Sequence, residues 1–350
     1  MSFKYLCIML KRLVHIYAFI VISTVAGYGQ VGGDNTYEFL NLTNSGYVAA
    51  LGGSNVSIYN DNINMSYHNP ALLSYRVKNN MALDYVSYLA GINYGLALYS
   101  WSPTLNKHFA GGITYYNYGS FTEADEIGNI TGTFTASEFS FPMIFSLDID
   151  SSWTIGTTLK PILSHLEKYT SFGVALDLGM AYHSADGLFS AGITAKNIGL
   201  QITKYASEKR MGLPFEIMAG ISTKLEHAPL RFSLTLRHLE KYNLIHDYNG
   251  DNDNHYLMNS KFTENLMRHI ILGVELTPHK NFYLCGGYNY QRRQELKMEN
   301  KPGSVGFSWG FGVNTSFLNV EFARATYSLA GASTHISMII KLGKIYSRNN

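Results

Sequence analysis

The chain reads as an all-β protein: a transmembrane antiparallel β-barrel of about 14 strands with an N-terminal plug segment inside the lumen. Three observations carry this. Charged residues make up only 15% of the 350-residue chain, which also holds 26 Tyr, 19 Phe and 32 Gly, a balance that suits strands with one face in lipid. Apolar and polar residues alternate with period two from Met81 onward, which places them on opposite faces of strands. The connections alternate short and long, as in outer-membrane barrels with short periplasmic turns and longer extracellular loops.

At the N-terminus, Lys4, Lys11 and Arg12 precede the apolar run "LVHIYAFIVISTVA" and the small residues Gly27 and Gly29. That order predicts a secretory signal peptide over 1–29, cleaved before Gln30, and therefore export to the cell outer membrane. No later stretch supplies the roughly 18 uninterrupted apolar residues of a membrane-spanning helix. Cys7 leaves with the signal, and Cys285 alone makes no intramolecular disulfide. A net charge of +2 gives no electrostatic footprint for a nucleic-acid partner.

Residues 30–79 follow neither strand nor helix periodicity. Their centre, "AALGGSNVSIYNDNINMSYHNPALLS", joins a Gly-Gly pair to an Asn/Asp-rich run and an Asn-Pro-Ala step. Ahead of a barrel, such a segment is expected to fill the lumen. Gly52 and Gly53 permit bends or close approach to the wall. Asn60, Asp61 and Asn62 are expected to satisfy backbone and lumen groups, and Pro70 to stiffen the exit into the first strand.

Residues 80–343 carry the strands, expected at 80–88, 91–101, 107–118, 133–147, 152–161, 171–183, 188–199, 213–226, 229–238, 267–277, 281–291, 304–315, 317–327 and 332–343. In "PLRFSLTLRH", Leu230, Phe232, Leu234 and Leu236 share one face and Arg231, Ser233, Thr235 and Arg237 the other. The polar faces are rich in Gly and small residues, as in a barrel whose interior is occupied. Links after even-numbered strands are short ("SPTLN", "DIDS", "HSADG", "EHA", "PHK"), and those after odd-numbered strands are mostly long, among them "GSFTEADEIGNITGT", "ILSHLEKYT" and 239–266. A secreted β-sandwich shares the composition but has no reason to obey that parity. A polar tail, 344–350, follows the last strand where a terminal aromatic is usual.

Chemistry is sparse. The chain holds no H-E-x-x-H pair and no phosphate-cradling loop, and its G-x-S-x-G string, Gly306–Gly310, falls in the alternating strand "GFSWGFGVN", so no catalytic residue, cofactor or metal ligand is assigned. In "DYNGDNDNH", Asp247, Asn249, Asp251 and Asp253 alternate like the start of a calcium cage, but the sixth-position Gly and twelfth-position Glu are missing, which favours a solvated loop. His335 and Ser337 read as a lumen-facing polar pair. Asp177, Glu275, Arg231 and Arg237 fall at inward positions and are expected to pair with each other or with the inserted segment. Arg324 shares parity with Leu318, Val320 and Phe322 and would snorkel to the headgroups. Cys285 reads as a small buried filler. The loop 239–266, with Tyr242, Tyr248 and Tyr256, suits a partner-binding surface or a solvated one.

The motif Leu51, Gly52, Gly53, Asp61, Asn69, Pro70 and Ala71 resembles the N-terminal signature of the FadL-like outer-membrane barrels. "GGDNTYEFLNLTNSGYVAALGG" followed by "NPALLS", and then "MALDYVSYLAGINYGLALYSW", is similar to the PorV/PorQ branch of that superfamily, found in the type IX secretion system of Bacteroidota. The resemblance implies a 14-stranded barrel with an internal N-terminal segment and no enzymatic activity. It also implies partners: a PorZ-like surface protein held at the outer membrane beside PorV and the sortase-like protease PorU, which links cargo to lipopolysaccharide. The alternative is a FadL-like transporter of fatty acids or other hydrophobic molecules, which needs an apolar pocket continuous with the outside.

Overall fold

The computed structural model of the chain describes residues 35–205, 210–245, 257–297, 303–328 and 331–346. The strands run in chain order as β1 Asn80–Ser87, β2 Asn93–Trp101, β3 Lys107–Ala124, β4 Ile130–Ser140, β5 Met143–Asp148, β6 Trp153–Leu166, β7 Tyr169–His183 and β8 Phe189–Thr203. They continue as β9 Glu216–Lys224, β10 Leu230–Leu236, β11 Ile270–His279, β12 Phe282–Asn289, β13 Phe307–Asn314, β14 Leu318–Ser328 and β15 Gly331–Lys341. Sequence neighbours pair antiparallel, and β1 pairs with both β2 and β15, so the sheet closes on itself. Closure leaves no edge, which a bilayer requires of any spanning sheet.

Strands β4 and β5 are one stave. Both lie between β3 and β6, and the register is the same on either side of the break: Thr114 faces Ser140 and Gly111 faces Met143. The interruption is Pro142, which has no N–H to give the ladder, although its carbonyl still accepts from Gly112 N at 3.0 Å. Fifteen segments with two merged make fourteen staves.

The alternation sorts lipid from lumen. In β13, Phe307 and Trp309 are 51% and 52% exposed while Ser308 between them is 4% exposed. Outward rings stack toward the short-turn end as Tyr99, Trp101, Phe109 and Phe145, and toward the long-loop end as Tyr115 with Phe139. These bands suit the two headgroup levels of a membrane. Two apolar grooves, one of about 580 Å³ beside Phe232 and Leu272 and one of about 480 Å³ beside Met180 and Ile193, also lie on this outer wall.

The expected spans differ from the strands mainly at the long-loop end. β3 continues to Ala124 and β4 starts at Ile130, so most of "GSFTEADEIGNITGT" is hairpin. "ILSHLEKYT" is likewise largely strand, turning at Glu167, whose φ is 57°. Polar composition marks these stretches as loops, but Thr, Phe and Ile keep the alternation going beyond the membrane. On the opposite side β9 and β10 are only 9 and 7 residues long, and a helix, Leu257–Arg268, takes up the end of the 239–266 connection and delays β11 to Ile270. The signal-peptide expectation for 1–29 falls outside the described residues. After β15 a short helix, Leu342–Tyr346, takes up part of the polar tail.

The buried core lies inside the barrel, where residues 37–77 pack against the inward side chains of the wall. On the outer face the environment is lipid, and charge there is costly. Ile193→Arg, at a 48% exposed outward position of β8, should lower unfolding free energy in lipid vesicles by about 2–4 kcal/mol. Ile127→Arg, in the exposed turn after β3, should leave it unchanged. Urea titrations read by folded and unfolded gel mobility test this, and equal tolerance at both sites would contradict a lipid-facing β8.

Candidate functional site: the occupied lumen

Residues 35–79 run down the lumen from the long-loop end, where Asn35 bridges Gly212, to the short-turn end at Asn79, whose N–H donates to Ser100 O at 3.0 Å. The segment has little regular structure to satisfy its backbone. Asparagine side chains do part of that work. Asn55 Oδ1 accepts from Ser57 N and Ile58 N at 3.1 and 3.0 Å, Asn60 from Asn62 N at 3.1 Å, Asn62 from Asn64 N at 2.9 Å, and Asn69 from Ala71 N at 3.1 Å. Each is the local Asx turn that makes Asn unfavourable inside helices and useful in irregular chain. The α-helical turn Gly46–Ala50 starts at Ser45, whose Oγ accepts from Val48 N at 3.4 Å.

Glu321, on the inward face of β14 and 1% exposed, ties this segment to the wall. Its carboxylate accepts from Tyr47 N at 3.0 Å, Asn62 Nδ2 at 2.7 Å, the Tyr283 hydroxyl at 2.9 Å and Asn319 Nδ2 at 2.9 Å. Two of those donors belong to the inserted segment and two to the wall. Nearby, Gly46 N donates to Ser337 Oγ at 2.9 Å, and Asn64 Nδ2 to Asp84 Oδ1 at 2.8 Å. Toward the long-loop end, Tyr94 donates to Thr43 O at 3.1 Å and Asn197 Nδ2 to Asn41 Oδ1 at 3.0 Å.

The wall makes room by omitting side chains. A Cβ on Gly192 would sit 2.0 Å from Val56 O, one on Gly179 2.1 Å from Asn69 Oδ1, and one on Gly287 2.2 Å from Gly52 N. No L side chain fits at such distances. The inward glycines of β7, β8 and β12 are therefore footprints of the segment.

No protein-family model matches the chain, and no curated protein matches it in sequence. Solved structures do. Two crystal structures of the Pseudomonas putida toluene transporter TodX align over 85% of this chain and 97% of theirs, with TM-scores of 0.50 and 0.51 at 12% and 13% identity. The closed barrel of fourteen antiparallel staves is the fold shared with these two structures. A FadL homologue from Pseudomonas aeruginosa aligns over 86% of this chain and 98% of its own, at TM-score 0.45 and 8% identity. At these identities the likeness is one of architecture.

Within this barrel the motif residues have different situations. Leu51 is 1% exposed and lies against Gly273 and Gly287. Gly52 and Gly53 have φ of 104° and 96°, and a Cβ on Gly52 would sit 2.4 Å from Ile271 Cγ2, so both conformation and space exclude other residues. Asn69 is fully buried and donates to Val56 O at 2.8 Å. Pro70 opens a short 3-10 turn, and Ala71 behind it is fully buried. Asp61 corrects the expectation for the Asn-Asp-Asn run: its side chain is 59% exposed and pairs at 2.9 Å with an equally open Arg76. Alternate residues of that run face opposite ways, so Asn62 reaches Glu321 while Asp61 points away.

The inward charges pair, though not always as expected. Arg231 meets Glu275 at 3.1 Å across β10 and β11, and the Tyr47 hydroxyl donates to the same carboxylate. Asp177 meets Lys160 at 2.6 Å, and Arg237 meets Glu216 at 2.6 Å. Lys160, Glu216 and Glu321 are the partners the sequence reading left out, although their strand parity marks them as inward. His335 bonds Ser333 Oγ at 2.8 Å and not Ser337. Cys285 is buried against Tyr47 and Leu51, and Arg324 is exposed on the outer face beside Trp309.

Sequence spacing also gave no warning of a Ser-His-Asp chain at the short-turn end. Ser102 Oγ lies 2.9 Å from His108 Nδ1, and His108 Nε2 lies 3.0 Å from Asp148 Oδ2. Ser102 and His108 are 4% and 0% exposed, while the Asp148 side chain is 25% exposed. Acyl transfer needs an open hydroxyl and a carboxylate buried behind the imidazole. This trio has the reverse, and it clasps the turn between β2 and β3. Among the described residues no group of His, Cys, Asp and Glu is placed to hold a metal ion. Tyr242 is 61% exposed, and its ring lies tilted beside Phe262 with centroids 6.2 Å apart. Tyr248, Tyr256 and the calcium-like run 247–255 lie outside the described residues.

The four-donor anchor sets an unequal cost for two acidic residues. Glu321→Ala strands several buried donors and should lower unfolding free energy by on the order of 3 kcal/mol. Asp61→Asn removes only an exposed ion pair and should cost under about 0.5 kcal/mol. Denaturant midpoints in detergent test this, and equal shifts for the two variants would contradict the anchoring role of Glu321.

Proposed function

We propose that this protein is a non-enzymatic outer-membrane barrel that works by holding a partner at the cell surface, as a component of a type IX secretion attachment complex. The partner is a PorZ-like surface protein, kept near the PorU and PorV machinery that processes cargo and attaches it to lipopolysaccharide. The observation that carries this reading is the occupied lumen. Residues 35–79 are bonded to the wall through Glu321, Asp84, Ser337 and Asn197, and the apolar grooves described above face lipid. A barrel filled this way offers its extracellular face for function. The N-terminal resemblance supplies the identity of the partner.

A second reading, an outer-membrane transporter of hydrophobic molecules, is favoured by one observation: the architecture shared with structures described as a toluene transporter. The two readings separate on recovery and uptake. Affinity purification from detergent-solubilised outer membranes should recover a large PorZ-like surface protein, and vesicles containing the purified barrel should take up toluene or a long-chain fatty acid no faster than empty vesicles. Accelerated uptake with no recovered protein would overturn the anchoring reading in favour of the transporter.

A further inference from the structure

The β3–β4 hairpin stands above the rest of the wall. β2 last pairs with β3 where Asn93 faces Asn117, and β6 last pairs with β4 where Leu166 faces Ala136. Beyond those levels, apart from Glu167 N donating to Thr135 O at 3.2 Å, β3 and β4 pair only with each other, from Ser120 facing Thr135 to Ala124 facing Ile130. A register shift between Asn117 and Ser120, with Gly119 at φ 86°, marks the point where the hairpin leaves the barrel. Ser120–Ala124 alone spans about 17 Å at roughly 3.3 Å per residue. Among the described residues, both outer edges of this hairpin lack a pairing strand.

A free edge presents unpaired N–H and C=O groups, and natural proteins usually blunt it with Lys or Pro. This hairpin has neither, since residues 108–141 contain no Lys, Arg or Pro. Instead Glu123, Asp125 and Glu126 cluster near its tip. Ile127 and Ile130 are 85% and 76% exposed, and Phe121 stacks on Phe134 with ring centroids 5.2 Å apart. The turn is built. Asp125 Oδ1 accepts from Asn129 N at 2.8 Å and Ile127 N at 3.1 Å, and Asn129 Nδ2 donates to Asp125 Oδ2 at 2.9 Å. These bonds, led by the Asn129 side chain, hold the Asp125 carboxyl below its ordinary range, so Asp125 keeps its charge in mild acid.

We propose that the β3–β4 hairpin is a strand-addition site, and that the partner held at the cell surface docks an edge strand carrying Lys or Arg along it. This rests on the anchoring reading and places its contact away from the 239–266 loop. Main-chain bonds supply affinity, and alternate side chains supply choice: the isoleucines and phenylalanines meet apolar residues, and the three carboxylates meet cations.

The experiment places a photo-crosslinking residue at Thr122 or Thr133 of the full chain in its native outer membrane, with Phe262 of the Leu257–Arg268 helix as the control position. Crosslinks from the hairpin should map to an exposed β-strand with Lys or Arg on the recovered partner. Glu123→Lys with Glu126→Lys should reduce recovery roughly tenfold. Replacing 120–134 with Asn-Gly, a two-residue hairpin turn, should abolish it while the barrel keeps its folded gel mobility. Undiminished recovery with the shortened hairpin, crosslinks to lipid alone, or crosslinks only from Phe262 would overturn this proposal and leave the anchoring reading standing. Recovery of no partner by the wild-type chain would sink the anchoring reading itself.

Discussion

The carboxylate of Glu321, receiving two donors from the inserted segment and two from the wall, is the contact on which the rest of the lumen depends. A fourteen-stave barrel is wider than its own inward side chains can fill, so something must occupy it or water will. An irregular segment brings a row of backbone groups that are expensive to leave unpaired in a low-dielectric interior. A side-chain acceptor buried on the wall resolves part of that problem. It takes a backbone N–H and an amide from the segment at bond lengths that only a fixed position allows. Once Tyr47 and Asn62 are held there, the Gly46–Ala50 turn lies against β13 and β14, where Ser308 donates to Ala50 O at 3.0 Å.

Segment and wall are complementary in composition. The wall gives up side chains at Gly179, Gly192 and Gly287, and the segment brings backbone to those spots. In exchange the segment is rich in Asn, which satisfies its own turns and has an amide left for the wall: Asn69 accepts from Ala71 N and its amide reaches Met180 O of β7 at 3.4 Å. Neither half has a good alternative partner. Inward glycines without the segment would leave voids, and the segment without the wall would be a short polar chain unable to bury enough apolar surface to order itself.

The barrel was largely legible in the sequence because one rule, alternation, acts on every stave. β13 needs no information from elsewhere in the chain to show Phe307, Trp309, Phe311 and Val313 on one face. The boundaries at the long-loop end were harder. There the outer face passes from lipid to water, so Glu123 and Thr133 can alternate with Phe121 and Phe134 without the apolar signature that marks a membrane strand. The lumen was legible in kind but not in detail. Glycine pairs and Asx-forming residues announce tight irregular chain, yet nothing local distinguishes Asp61 from Asn62, because the choice depends on Glu321, 259 positions from Asn62 in the sequence. Glu321 itself has inward parity, but parity gives a direction and not a partner.

The wall is also uneven in height. β3 to β8 include strands of 14 to 18 residues, whereas β9, β10, β12 and β13 have 7 to 9. Membrane crossing needs only about 9 to 11 residues on a tilted strand, so the extra length on one side is not required by the bilayer. The short side carries the helices Leu257–Arg268 and Tyr290–Leu296, whose exposed Glu264 and Glu295 both approach Arg268. The tall side ends in strands that keep pairing above the membrane. A strand that outlives its need for lipid retains the same backbone groups with fewer neighbours to satisfy them, and water satisfies them only until a better-matched edge arrives. With the lumen occupied, the raised β3–β4 edge is the feature that the proposed docking would use.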